Sequence, residues 1–195
     1  RPYNTDGSLA YYRNNWAPFN ILNEYANNST HVDVLDFKLQ AEGSYQLTAD
    51  LAVKTLFSAR RANTVTTHEV DEGSNVVQAY RANDNPTVAQ ENIYLVRDKD
   101  NPLLQPKVGL THGGLFNRTE TSMTSFLARL ALDFDKRMGQ HDFKAFAFTE
   151  VRAANRSNQP FQGYGIQYGR GNQVYTNPLI FDKLTNEGNS YFGLH

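Results

Sequence analysis

The stretch Leu35-Asp36-Phe37-Lys38-Leu39-Gln40-Ala41-Glu42-Gly43-Ser44-Tyr45-Gln46-Leu47 alternates strictly between apolar and polar side chains. The alternation resumes at Leu51 and continues to Arg60. A period of two residues is typical of β-strands, so the pattern predicts a hairpin over residues 35–61. An arm of about 13 residues, tilted by about 45°, crosses about 30 Å, which is the thickness of a bilayer core.

The parity of the two arms predicts the turn between them. If Leu47 lies opposite Leu51, every apolar residue falls on one face of the hairpin, whereas a two-residue turn would mix the faces. We therefore expect a turn of three residues, Thr48-Ala49-Asp50, or of five if Leu47 and Leu51 separate.

A second hairpin is predicted over residues 124–151. Residues 126–134 fit strand and helix periodicity almost equally well, but the aromatic segment 141–151 that follows favours paired strands. A four-residue loop over 137–140 would place Phe134 opposite Phe143. On the other face it would place Asp133 opposite Lys144, a favourable pair.

Composition narrows the class of protein. The 195 residues are 39% hydrophobic and 12% aromatic, which suits sheets and loops better than a helical bundle. No apolar run of about 18 residues is present, so a transmembrane helix is not expected. A net charge of −1 argues against nucleic acid as a partner, and the absence of cysteine excludes disulfides and thiolate metal sites. The chain opens Arg-Pro-Tyr, without Met or a signal peptide, and we expect it to be either an excerpt or a processed piece of a protein.

The remaining segments, 1–34, 62–123 and 152–195, are predicted to be long loops. Within them we expect a short helical turn between Trp16 and Tyr25, a helix beginning near Val76 and a short strand at 93–96. Short turns at one end of the strands and long loops at the other are typical of outer-membrane barrels. The predicted fold is therefore all-β, with antiparallel strands forming part of a large transmembrane β-barrel, because four strands are too few to close one.

No catalytic motif is present. The five histidines are scattered, and the glycines of 163–171 lack the spacing of a dinucleotide-binding turn. Asp98 and Asp100 are interpreted as a solvated turn rather than a cation site. We therefore expect no catalytic step, no metal and no cofactor. The charged residues of the polar strand faces either line a water-filled lumen or form an ordinary solvated face; they include Lys38, Glu42, Lys54, Arg60 and Arg129.

Three stretches resemble the barrel wall of the SusC/RagA-type TonB-dependent transporters of the Bacteroidetes outer membrane. They are Arg1-Pro2-Tyr3-Asn4-Thr5-Asp6-Gly7-Ser8-Leu9 followed by Ala17-Pro18-Phe19-Asn20, the hairpin 35–61, and the strand His141-Asp142-Phe143-Lys144-Ala145-Phe146-Ala147-Phe148-Thr149-Glu150, after which Phe161-Gln162-Gly163-Tyr164-Gly165 follows. Ala17 stands where the family usually has Asn, and Thr149 stands where Gly is common.

The resemblance implies a barrel of about 22 strands with an internal plug. It also implies import of an oligosaccharide or a peptide across the bacterial outer membrane, with TonB as the energy source and a SusD-like surface lipoprotein as a lid. No plug or TonB-binding segment is recognisable in this sequence. Apart from the resemblance, the last loop either contacts the cargo, because exposed aromatic rings can stack on sugars or peptides, or is merely structural. The candidate contact residues are Tyr164, Tyr168 and Arg170.

The main alternative is a soluble β-sandwich, either a carbohydrate-binding or an adhesin module, and a β-rich hydrolase domain is a weaker one. In a sandwich the apolar strand face would pack under a second sheet. In a membrane barrel it would face outward. The outward-facing residues would then include Phe37, Leu39, Val53 and Phe57.

Overall fold

The fold is mostly β. The computed structural model describes residues 1–83, 85–98, 100–101 and 103–186, with side chains to residue 183. Strands make up 59% of the structure and helices 17%, and the sheets are antiparallel. The prediction of antiparallel strands is confirmed, whereas the helices occupy segments that were predicted to be mainly loop. No described helix is long and apolar enough to cross a membrane.

The elements in chain order are β1 (Tyr12–Asn14), β2 (Ala17–Phe19), α1 (Ile21–Asn27), β3 (Asn28–Thr48), β4 (Leu51–Val70), α2 (Asn75–Ala82), α3 (Pro86–Glu91), β5 (Leu95–Val96), β6 (Lys107–Val108), β7 (Gly114–Met138), β8 (His141–Gln167), a 3-10 turn (Tyr168–Arg170), β9 (Gln173–Val174) and α4 (Pro178–Asn186). Tight turns connect β3 with β4 and β7 with β8, whereas residues 71–113 separate β4 from β7. The main sheet has the strand order β3-β4-β7-β8-β9, and β1-β2 and β5-β6 form two small sheets.

Both predicted hairpins are present, and both are longer than predicted. β3 and β4 extend the hairpin 35–61 in both directions, and β7 and β8 extend the hairpin 124–151. The segment 126–134 is strand, so its helical periodicity was misleading. The predicted loop 152–195 is strand as far as Gln167, and residues 187–195 of that loop lie outside the described residues.

The first turn is one residue shorter than predicted. β3 ends at Thr48 and β4 begins at Leu51, which leaves Ala49 and Asp50 between them. The predicted parity is nevertheless kept deeper in the hairpin. A Cβ atom on Gly43 would lie 2.9 Å from Oγ1 of Thr55, so these two odd-numbered positions share a face.

The second turn is also shorter than predicted, and the pairing is shifted. Gly139 and Gln140 connect the two strands, with Gly139 at a φ of 65° that favours glycine. Three ion pairs agree with a register that places Met138 opposite His141: Arg137–Asp142 at 3.3 Å, Asp135–Lys144 at 3.2 Å and Arg129–Glu150, whose Nε–Oε2 distance is 2.8 Å. The predicted Asp133–Lys144 pair is therefore wrong by two residues, although each residue keeps its face.

Cross-linking distinguishes the two registers, because the chain contains no cysteine of its own. We expect the double variant Asp135→Cys/Lys144→Cys to form a disulfide under mild oxidation, since directly opposed Cβ atoms lie about 4.5–5.5 Å apart. The matched variant Asp133→Cys/Lys144→Cys should cross-link at least tenfold more slowly. Cross-linking is measured by mass spectrometry of the peptides. Faster cross-linking of the second variant would support the predicted four-residue loop instead of the observed register.

The chain divides into two compact units. Unit 1 comprises Arg1–Val32, Thr66–Thr119 and the described residues from Pro160 onward, and unit 2 comprises Asp33–Val65 and Glu120–Gln159. Unit 1 contains a hydrophobic core built from α2, α4 and the ends of the long strands, with Val70, Val77, Tyr94, Leu110, Leu115, Tyr164 and Ile180 buried in it. Unit 2 contains the two tight turns and the parts of the four long strands that adjoin them.

Unit 1 begins with a small hairpin. In β1-β2, Asn14 pairs with Ala17, so Asn15 and Trp16 form a two-residue turn. Both have positive φ angles, 50° and 63°, as a type I′ turn requires. The buried side chain of Asn75 donates hydrogen bonds to the carbonyl oxygens of Asn14 at 2.8 Å and Ala17 at 3.1 Å, which fixes this hairpin on α2.

Candidate functional site

The polar face of unit 2 carries a continuous series of ion pairs. The polar face comprises the even-numbered residues of β3, β4 and β8 and the odd-numbered residues of β7 over unit 2. Besides Arg137–Asp142, Asp135–Lys144 and Arg129–Glu150, its ion pairs are Asp36–Arg60, Lys54–Asp133 and Glu150–Arg152. The pairs cross from β3 to β4, from β4 to β7 and from β7 to β8, which places all these residues on one side of the sheet.

These contacts neutralise most of the charge locally. Exposed ion pairs contribute at most about 1 kcal/mol each, so the series does little for stability. It fixes the direction of the polar side chains and leaves a hydrated surface of mixed charge. Of the five charged residues predicted on this face, Arg60, Lys54 and Arg129 form ion pairs, and Glu42 accepts a hydrogen bond from Gln40 at 2.6 Å.

Two phenylalanine side chains interrupt the charged surface. Phe146 and Phe148 lie on the polar face of β8, with 62% and 60% of their surface exposed. Their ring centroids are 5.6 Å apart, and the Arg129 guanidinium lies 5.5 Å from the centroid of Phe148. Exposed rings among charged residues offer a ligand both apolar area and polar partners.

A shallow depression of about 570 Å³ lies beside Phe146. Lys54, Arg129 and the buried Ala131 contribute to its lining, because the small Ala131 side chain leaves space between longer neighbours. The depression is open to solvent and adjoins the exposed Phe146 ring. The polar face of unit 2 is therefore the candidate site.

The opposite, apolar face of unit 2 is exposed as well. Phe37 and Leu39 are 62% and 53% exposed, and Phe57 is also exposed, as predicted for an outward-facing surface. Val53 is half-buried. The Phe57 ring packs edge-on against Phe126 of the neighbouring strand, with 5.1 Å between the ring centroids. This contact on the apolar face is therefore one between adjacent strands.

The sequence-predicted site residues lie elsewhere, in unit 1, and Tyr164 is not exposed. Its side chain is 2% exposed and packs in the core, with its ring centroid 5.7 Å from that of Tyr94. The expectation that Tyr164 presents an exposed ring is therefore wrong. Its neighbour Gly165 has a φ of 75° and lies against the backbone of Tyr175, so this Gly-Tyr-Gly segment is tightly packed.

Tyr168 and Arg170 lie in the 3-10 turn after β8. Tyr168 is half-buried and donates a hydrogen bond to the carbonyl oxygen of Leu115 at 2.7 Å. Burial raises the pKa of its hydroxyl, and the carboxylates of Glu69 and Asp71 raise it further. Arg170 is exposed and contacts Gln167 at 3.3 Å. The structure does not bring Tyr164, Tyr168 and Arg170 together as an exposed aromatic surface, and contact of Arg170 with a cargo stays a prediction.

Glu72 and Arg81 fasten the segment before β7 to α2. Glu72 accepts a hydrogen bond from the Gly113 backbone N–H at 3.0 Å and pairs with Arg81 at 3.3 Å. Arg81 also donates to the carbonyl oxygens of Leu110 and Gly113 at 3.1 and 2.9 Å. The Gly113 hydrogen bond, and then Arg81 and the charge of Arg170, lower the pKa of Glu72.

The Glu72→Gln variant is expected to lose stability at neutral pH and not in acid. A carboxylate whose pKa is lowered on folding stabilises the protein above its unfolded pKa of about 4.3, and the effect disappears as the pH falls through the folded value. Because Glu72 is half exposed, the loss at pH 7 should stay below about 1 kcal/mol. Urea unfolding at pH 7 and pH 3 measures it, with the exposed Glu91→Gln as the control. An equal loss at both pH values would contradict this role.

No metal site is found among the described side chains, since no three His, Asp or Glu residues come close together. Asp98 instead accepts hydrogen bonds from the backbone N–H groups of Asp100 and Asn101 at 2.9 and 3.3 Å. These bonds are those of an Asx turn, as the solvated-turn interpretation predicts.

The sequence contained a signal for the two phenylalanines that our prediction did not use. Phe143 and Phe146 differ in parity, so they must lie on opposite faces of β8, and the next ring, Phe148, follows Phe146. The segment was interpreted only as aromatic.

No protein-family model matches the sequence, and no curated protein matches it either.

Proposed function

We propose that this chain forms part of the wall of a large outer-membrane β-barrel that imports oligosaccharides or peptides. The observation that carries the proposal is a single sheet with two different exposed faces, one apolar and one charged. Such a sheet suits a wall between lipid and water. In the barrel, Phe37, Leu39 and Phe57 contact lipid, and the polar face of unit 2 lines the lumen.

The length of the apolar face supports this placement. On β3 it extends over 35–47, on β4 over 51–59, on β7 over 126–134 and on β8 over 143–151. These stretches are about 10 residues long, which is what a tilted strand needs to cross the hydrocarbon core.

The edges of the sheet support a larger wall. β3 is an edge strand, and β8 is paired on its outer side only at Ile166 and Gln167, with β9, within the described part of the chain. Long apolar edges with unpaired N–H and C=O groups promote association with further strands. A barrel satisfies these groups by placing strands of the same polypeptide beside β3 and β8.

The soluble sandwich alternative predicts that the apolar face is covered. Exposure of Phe37 and Leu39 supports the membrane wall over that alternative. As a transporter of the SusC/RagA type, the protein would act with a SusD-like lipoprotein and be energised by TonB. Cargo would pass along the charged face with its two phenylalanines, and no covalent step is involved.

Membrane fractionation of the full-length gene product tests the proposal. The protein should pellet with outer membranes, resist extraction by alkaline carbonate, and migrate differently on gels before and after boiling, as folded barrels do. Deletion of the gene should abolish growth on its cargo as sole carbon source, and loss of TonB should have the same effect. Recovery of the protein in the aqueous phase after detergent partition would contradict the proposal.

A further inference from the structure

The Asn15-Trp16 turn of unit 1 has an unusual residue in a demanding position. A type I′ turn needs positive φ at both central residues and strongly prefers glycine at the second. Trp16 occupies that second position with a φ of 63°. A bulky side chain in the left-handed region is strained, and such strain persists only where the surroundings fix the backbone.

The surroundings do fix it. Asn75 is 3% exposed and holds the hairpin through the carbonyl oxygens of Asn14, Ala17 and Pro18. The buried Asn20 donates hydrogen bonds to the carbonyl oxygens of Pro2 at 2.7 Å and Ala10 at 2.6 Å. Asn75 therefore holds the hairpin and Asn20 holds the segment that precedes it, while Trp16 in the turn is 49% exposed.

We infer that the turn presents Trp16 as a stacking surface for a neutral saccharide. The Arg13 guanidinium lies over one face of the indole, 4.8 Å from its centroid, and Trp16 is 49% exposed. The C–H face of a sugar ring packs on an aromatic face, and a rigid ring loses little entropy on binding.

The groups around the indole select the ligand class. The side chains of Asn14 and Asn15 are exposed amides, which donate and accept hydrogen bonds and so match sugar hydroxyls. A purely apolar ligand would leave the amides without partners. The inference that this site contacts the cargo rests on the proposed function. The inference that Trp16 binds a saccharide does not rest on it.

The test compares saccharide binding by the full-length protein in detergent with that by its Trp16→Gly variant. Neutral oligosaccharides derived from glucan, mannan, xylan and galactan are immobilised on an array as probes. Glycine suits the turn, so Trp16→Gly should unfold at the same or a slightly higher temperature and bind at least tenfold more weakly. Trp16→Phe should retain part of the binding. The matched control Tyr25→Ala, which removes another exposed ring of unit 1, should change binding less than twofold.

Two results would overturn the inference: equal binding by the native protein and Trp16→Gly, or no binding of any of these oligosaccharides by the native protein. Neither result affects membrane fractionation. Conversely, a protein that binds the oligosaccharides through Trp16 but partitions into the aqueous phase would sustain this inference and remove the proposed transport function.

Discussion

The Gly165→Ala variant is expected to be destabilised by about 2–5 kcal/mol, which in a domain of this size approaches loss of folding. Gly165 has a φ of 75°, a conformation that costs other residues about 1–2 kcal/mol. A Cβ atom there would also lie 2.0 Å from the carbonyl oxygen of Tyr175, whose N–H donates to the Gly165 carbonyl at 2.8 Å. Because the obstacle is backbone, relief requires β9 to move, and overpacking adds about 1–3 kcal/mol.

Gly171 provides the matched control for that variant. Its φ of 70° is nearly the same, but among the described residues no atom beyond its two chain neighbours lies within 4 Å of the position that a Cβ would take. Gly171→Ala should therefore cost only the conformational strain of about 1–2 kcal/mol. Urea unfolding of the two variants, with protease resistance of the region after residue 160 as the second readout, distinguishes the two costs. One is the backbone strain at positive φ, and the other is the collision of the added Cβ with Tyr175. Equal losses of stability in the two variants would show that β9 moves aside without a cost in free energy.

The Leu39→Arg variant is expected to assemble poorly in the outer membrane. Leu39 lies near the middle of the apolar stretch of β3 and is exposed. In a barrel wall an arginine at this depth faces hydrocarbon and costs about 2–4 kcal/mol. The measurement is the fraction of full-length protein that becomes heat-modifiable in the membrane, which should fall several-fold.

The adjacent residue supplies the control for this second variant. Gln40 is exposed and lies on the polar face of the same strand. Gln40→Arg introduces the same charge one residue away and should assemble like the native protein, because it faces water. If Leu39→Arg and Gln40→Arg behave alike, the apolar face does not contact lipid.

The strands of unit 2 could be predicted because their alternation of apolar and polar residues follows from one cause, the different surroundings of the two faces of the sheet. One face of each strand is apolar, and a slip of one residue would turn that face to the wrong side. A slip of two residues preserves the faces, so the pattern could not distinguish Asp133 from Asp135 as the partner of Lys144. That choice depended on the turn, where Gly139 permits a shorter connection than we expected.

Unit 1 was harder to predict because its contacts join distant parts of the sequence. Asn75 binds the hairpin around residue 16, and Ile180 packs in the same core as Val70 and Tyr94. Tyr164 was predicted to contact cargo as an exposed ring, because the segment from Arg152 onward is polar and glycines flank Tyr164, as in a loop. In the fold those glycines instead allow close backbone approach, and Tyr164 is buried. Polarity of a segment does not reveal such packing.

The long insertion between the two hairpins has a consequence for the order of folding. The β3–β4 and β7–β8 pairings are local and need only tight turns, so each can form in microseconds. Pairing β4 with β7 requires closure of the segment formed by residues 71–113. Closing this longer segment costs more chain entropy than closing a tight turn. Because Val77, Tyr94 and Leu110 lie within that insertion and pack in the core of unit 1, their collapse would shorten the distance to be closed. Slow growth of the sheet from two preformed hairpins, rather than zippering from one end, is the kinetic signature that this arrangement implies.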